Sequence, residues 1–191
     1  MGGLRIIAGA MKGRVIPFDN RKFDNADITP QKVKGAIFSM IGEWLHGKGF
    51  LDLYAGSGQI GIEAVSRGAG PVVLNEADIT RFRFIKSSLQ NLGITSGVEL
   101  LNMRADKALE MLRDRNVTFD YIFLDPPYVK MKGTADAYHE IIGKIGECGV
   151  LAPGGEIILQ HFSGNIIGKD AGPYNIRMTK KYGKTSLSVY G

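Results

Sequence analysis

The sequence predicts a doubly wound α/β fold: a Rossmann-like, seven-stranded, mostly parallel sheet covered by helices on both faces. Three observations carry that expectation. Short apolar runs alternate with helical stretches from about residue 50 onward, and continuous rather than alternating apolar runs mark strands buried on both sides. A glycine-rich turn joins the first such strand to the first such helix, the usual place for a ligand-binding loop. The chain then ends in two β-rich runs around Lys180-Lys181-Tyr182-Gly183-Lys184, which reads as an antiparallel hairpin closing the sheet.

Element by element, residues 5–8 and 14–18 flank a glycine-containing turn and read as a small hairpin. Pro30 opens a helix over residues 31–45, with Thr29 as its N-cap; Val33, Ile37, Met40, Ile41 and Trp44 share its apolar face. Strands follow at 50–54, 71–75, 98–102, 119–124 and 156–160, separated by helices at 59–67, 79–91, 107–115 and 135–148. The hairpin strands are 174–179 and 185–190. This divides the chain into a basic hairpin-plus-helix extension, residues 1–48, and a core domain, residues 49–191.

Composition excludes several classes. A chain of 191 residues with one cysteine, Cys148, holds no internal disulfide, and three histidines beside it give a poor metal-ligand set. No metal is expected. The single cysteine fits a reducing compartment, so the cytoplasm is expected; no apolar run reaches the roughly 20 residues that span a bilayer, so no membrane partner is expected, and a monomer is the default. The net charge is +5. Residues 1–48 hold 8 Lys+Arg against 4 Asp+Glu, and the other 143 residues hold 16 against 15. A local basic excess is the footprint of a polyanion partner, though a solvated face leaves the same trace.

The glycine loop runs from Asp52 to Gly61. Gly56, Gly58 and Gly61 satisfy G-x-G-x-x-G, and Glu76 lies at the end of the next strand, which on pattern alone describes a dinucleotide site. Asp52 argues otherwise. A carboxylate beside the loop repels a pyrophosphate but attracts a cation. S-adenosylmethionine (SAM) has no phosphate and carries an ammonium, a carboxylate and a sulfonium. The expected cofactor residues are therefore Asp52, Ala55, Gly56, Ser57, Gly58 and Glu76, with Glu76 accepting from ribose hydroxyls. Ala105 and Asp106, after the third strand, are expected at the adenine; Asp106 could equally cap a helix, as Asp78 could.

Asp125-Pro126-Pro127-Tyr128 ends the strand at 119–124. Two prolines remove two backbone donors and favour an extended path, leaving carbonyl and carboxylate acceptors to point into a site. An exocyclic amine on a base needs two such acceptors, because its lone pair is delocalised until its geometry becomes sp³-like. Asp125 serves the amine and the cofactor end of the site, Pro126 offers its carbonyl, and Tyr128 offers a stacking face.

These residues resemble the N-methyltransferases that carry an [DNS]-P-P-[YFW] tetrapeptide. Among them the chain is similar to the RsmD family, bacterial enzymes acting on the N2 amine of a guanine in small-subunit (16S) ribosomal RNA. Arg5-Ile6-Ile7-Ala8-Gly9, Lys12-Gly13-Arg14, the stretch Asp52 to Ala69, Leu124 to Tyr128, and Tyr182-Gly183-Lys184-Thr185 carry the resemblance, nearly end to end. It implies a SAM-methyltransferase fold, SAM as cofactor with S-adenosylhomocysteine as product, and ribosomal RNA, bare or in the small subunit, as partner. Arg5, Lys12, Arg14, Lys32 and Lys34 would then hold phosphates. One segment departs: where the family has Arg-Pro-Thr and a following Glu, this chain has Asp27-Ile28-Thr29 and Gly35. Two other functions stay open on sequence: N6-methylation of adenine in DNA, and a non-enzymatic RNA-binding assembly factor.

Overall fold

In the computed structural model, which describes residues 3–23, 28–126 and 135–191, the expected alternation becomes one layered α/β unit. Leu4–Arg5 (β1) pairs antiparallel with Val15–Ile16 (β2). Gln31–Ile41 (α1) leads to Phe50–Asp52 (β3), Gln59–Ser66 (α2), Val72–Asn75 (β4), Ile79–Asn91 (α3), Val98–Leu101 (β5), Ala105–Asp114 (α4) and Phe119–Leu124 (β6). Ala135–Cys148 (α5) precedes Leu151–Phe162 (β7), then Asp170–Ala171 (β8), Tyr174–Tyr182 (β9) and Thr185–Tyr190 (β10).

The main sheet runs β5-β4-β3-β6-β7-β10-β9-β8. From β5 to β7 every pairing is parallel; β10 and β9 add the antiparallel hairpin. The seven expected strands are therefore present, and the two-residue β8 adds an eighth at the edge. The strand order reverses between β3 and β6, which opens a crevice at their carboxyl ends. β3, β4 and the end of β6 are fully buried, matching their unbroken apolar runs. No helix among the described residues is long and apolar enough to cross a membrane.

The N-terminal segment packs into the same core as the sheet: Ile6, Ile16, Val33 and Ile37 share a cluster with Phe50, Ile62 and Leu74. A buried carboxylate fastens it. Glu63 on α2 is 0% exposed and accepts from the Ile7 and Ala8 amides, each at 3.0 Å. It also pairs with Lys34 Nζ at 3.2 Å and Arg67 Nε at 3.1 Å. Lys34 further donates to the Arg5 carbonyl at 2.6 Å.

Four sequence expectations change here. Lys34 is 1% exposed, so it holds Glu63 rather than phosphate. Arg14 spends its guanidinium on the Leu92 and Asn91 carbonyls at the end of α3, at 2.8 and 3.2 Å, where a cation suits the helix dipole. Helix α1 stops at Ile41 because Gly42 turns the backbone to φ 108°; Trp44 beyond it is 58% exposed, stacked on His46, and not part of the apolar face. Thr29 caps nothing: Pro30 occupies the cap position with no side-chain bond.

Candidate active site

A cleft of about 590 Å³ opens at the carboxyl ends of β3, β4, β6 and β7. Its floor is the glycine loop. Gly58 adopts φ 74° and starts α2 from a left-handed conformation that a side chain would strain. Gly61 lets α2 lie on β4: a Cβ there would stand 2.6 Å from Leu74 Cδ2. Gly58 faces Ile85 and shapes the loop from below. Ala55, Gly56 and Ser57 line the cleft, as do Asp52, Glu76 and Ala105.

Asp52 ends β3, 1% exposed. Its Oδ2 accepts the Gly61 amide at 3.1 Å, while its buried Oδ1 has no hydrogen-bond partner among the described residues. Burial pushes its carboxyl pKa up to about 8; the Gly61 amide and, more weakly, the Tyr54 amide oppose the rise, and the Asp125 and Glu76 carboxylates add to it. A buried acceptor without a partner is costly, and a cationic ligand would relieve it. Glu76 bridges the loop to α3, accepting from the Gly56 amide through Oε2 and the Asp78 amide through Oε1, both at 2.8 Å. Asp78 itself caps α3 by accepting from the Arg81 amide at 2.8 Å. Asn75 ties the strand ends together, donating to the Leu53 and Met103 carbonyls at 3.1 Å each.

Asp106 is not among the cleft-lining residues. It is the second residue of α4 and pairs with Arg104 at 3.1 Å, with 40% of its side chain exposed; that arginine holds its carboxyl below the usual range. Met103 and Ala105 form this wall instead.

Asp125 directly follows β6 and lines the cleft with Pro126. Pro127 and Tyr128 lie outside the described residues. Asp125 Oδ2 accepts from Gln160 Nε2 at 2.8 Å and stands 3.3 Å from the Thr29 hydroxyl. Gln160 Nε2 also reaches Thr29 Oγ1 at 3.2 Å, and Gln59 Nε2 donates to the Thr29 carbonyl at 3.1 Å. Thr29, Asp125 and Gln160, far apart in sequence, thus form one hydrogen-bonded group. Phe18, Phe23 and Ile28 also line the cleft; Phe18 and Phe23 stack at 4.9 Å, and both pack edge-on against Phe84 of α3.

Sequence reasoning did not find Gln160, the site role of Thr29, or the aromatic wall. Gln160 had a readable signal, a polar residue ending an otherwise apolar buried strand. Phe18 and Phe23 had none. Of the five expected phosphate-binding cations, Arg5, Lys12 and Lys32 are exposed, whereas Arg14 and Lys34 bond within the protein. Among the described residues no group of three or more His, Cys, Asp or Glu is arranged to hold a metal.

A doubly wound sheet with a reversed hairpin, a glycine loop and an acid-floored cleft defines the SAM-methyltransferase fold. Solved structures share it. HI0767 from Haemophilus influenzae, described as a candidate methylase, matches with TM-score 0.78 and 28% identity over 99% of this chain and 98% of that one. A conserved hypothetical protein of Streptococcus pyogenes matches with TM-score 0.72 and 32% identity over 83% and 94%.

The chain belongs to the family described as Conserved hypothetical protein 95, whose model matches residues 4–191. YlbH of Bacillus subtilis, named as a candidate rRNA methyltransferase, is 33% identical over 98% of both chains. Ribosomal RNA small subunit methyltransferase D of Haemophilus influenzae is 36% identical over 66% of this chain and 65% of its own length. The resemblance to the RsmD family is thereby shown, though the match to that relative spans about two thirds of each protein.

Proposed function

We propose that this chain is a cytoplasmic, monomeric SAM-dependent methyltransferase acting on the N2 amine of a guanine in small-subunit ribosomal RNA. The observation that carries the reading is the pairing of two carboxylates in one cleft: Asp52, with a buried unpartnered oxygen, and Asp125, held by Gln160 and Thr29. Family membership and the names of the relatives support the RNA substrate.

The residues fit the cofactor. Asp52 Oδ1 suits its ammonium. Glu76 keeps further lone pairs beyond its two amide bonds and suits the ribose hydroxyls, and Met103 and Ala105 offer an apolar seat for adenine. When bound, SAM supplies an electrophilic methyl group on its sulfonium. The protein's own work is positioning. Asp125 and the Pro126 carbonyl accept the two amine hydrogens, which turns the nitrogen lone pair toward the cofactor. Tyr128 stacks on the base. Asp125 or water takes the proton released after transfer. No covalent enzyme intermediate is needed. The base must leave its stack to reach the cleft, which is cheapest from a loop or single strand. Residues 1–48 serve as an extension that closes the cleft through Thr29 and meets RNA through Arg5, Lys12 and Lys32.

The test offers tritiated SAM with naked small-subunit rRNA, assembled small subunits and duplex DNA, followed by nucleoside analysis. N2-methylguanosine in one of the RNA arms is expected. Methyladenine in the DNA arm would assign the cleft to the other amine, and no transfer in any arm would leave a binding protein.

A further inference from the structure

We infer that the turn of the C-terminal hairpin is a second phosphate grip at the cleft mouth, with an RNA backbone as its ligand. The inference rests on the proposed RNA substrate and adds the surface that would hold it.

Placement is the first observation. Strand β7 ends at the crevice like the other parallel strands, and Thr185 at the start of β10 pairs with Phe162 at the end of β7. The β9–β10 turn therefore stands on the cleft rim, and Lys184 and Thr185 line the cleft. The turn is also anchored. The Ser163 amide donates to the Lys184 carbonyl at 2.9 Å, and its hydroxyl donates to the Gly183 carbonyl at 3.1 Å.

Charge is the second. Tyr174 to Gly191 holds Arg177, Lys180, Lys181 and Lys184 and no acidic residue. Several surface cations elsewhere are matched: Lys48 pairs with Asp120, Arg115 with Glu99, and Lys107 and Lys144 both with Glu110. Lys180, Lys181 and Lys184 are exposed and make no ion pair among the described residues. The α4 helix, by contrast, carries both signs. Three unmatched ammoniums on a pinned turn beside the reacting end of a cleft suit a polyanion running past it. Such contacts position a strand without reading its sequence.

The test compares wild type with Lys180→Gln/Lys181→Gln/Lys184→Gln in binding to transcribed small-subunit rRNA across a salt series, with SAM affinity measured alongside. Each lost phosphate contact lowers the log–log salt slope by roughly 0.7–0.9, so a fall of about 2 units is expected. Because Lys184 lines the cleft, the double variant Lys180→Gln/Lys181→Gln is run as well. It should retain wild-type SAM affinity and show about two thirds of that slope change. Lys107→Gln/Lys144→Gln, which removes two matched lysines, should leave the slope alone. Wild-type slope in the hairpin variants, or an equal loss in the helix control, overturns the inference. Failure of methyl transfer by the wild-type protein would instead overturn the proposed function, whatever the hairpin does.

Discussion

Asp52 should make cofactor binding depend on pH in a way the structure sets. Its carboxyl is raised to about 8 chiefly by burial, so below that pH it is mostly protonated before ligand binds. A cationic ammonium favours the ionised form. At pH 6 about one molecule in a hundred is ionised, and ionising the rest costs about 2.7 kcal/mol. SAM affinity should therefore rise about tenfold per pH unit from pH 6 and level off near 8, roughly 20-fold in all once loss of the ligand's own proton is counted. Above 8 it should fall again, because an ordinary α-amine loses its proton near pH 7.7–8.0. Calorimetry in buffers of different ionisation enthalpy should show proton release approaching one per SAM at pH 6. Asp52→Asn should bind weakly with no rising limb. A flat profile in wild type, or the same limb in Asp52→Asn, would refute the pairing of Asp52 with the cofactor cation. The same shift bears on stability. A carboxyl whose pKa is higher folded than unfolded contributes stability below the ordinary value of 3.8 and loses it as pH rises toward about 8. Ligand-free Asp52→Asn should accordingly lose less stability than wild type across that window.

Three further outcomes are expected. Glu63→Ala strands the buried Lys34 and Arg67 charges and should cost about 3–5 kcal/mol in urea unfolding; a loss under about 1 kcal/mol, the scale of an exposed pair, would show that the buckle is not structural. Glu76→Ala removes a charged acceptor and unpins the Gly56 amide, so SAM affinity should fall about 10- to 150-fold by calorimetry; unchanged affinity would take Glu76 out of the cofactor site. Gln160→Leu should lower kcat about 10- to 100-fold with SAM affinity kept, and Gln160→Asn should recover part of it. Equal losses in kcat and SAM affinity would mean that Gln160 only supports the cleft.

The sheet was legible because β3, β4 and β6 are buried on both faces and so carry unbroken apolar runs, and because the glycine loop has a mechanical spacing. Two-residue β8 has no pattern to read, and β7 begins at Leu151 rather than Glu156 because Pro153-Gly154-Gly155 disguises its first half. The floor of the cleft was legible for the same local reason: Asp52, Gly56 and Glu76, which line it, lie at fixed steps along one βαβ unit. The role of Thr29 was not, because it comes from tertiary contact with Asp125, and Gln160, though flagged by its polarity at the end of an apolar run, acquires its partner only through the same contact. Lys34 misled for an electrostatic reason. A lysine in a basic stretch reads as surface, and only the position of Glu63, far along the chain, makes its burial affordable.

Asp125 is the test of the central claim. Single-turnover methyl transfer should be measured with SAM pre-bound to wild type and to Asp125→Ala, alongside SAM affinity for each. If Asp125 orients the amine, the variant keeps its fold and most of its SAM affinity while transfer is abolished. Near-normal transfer in Asp125→Ala would contradict the account.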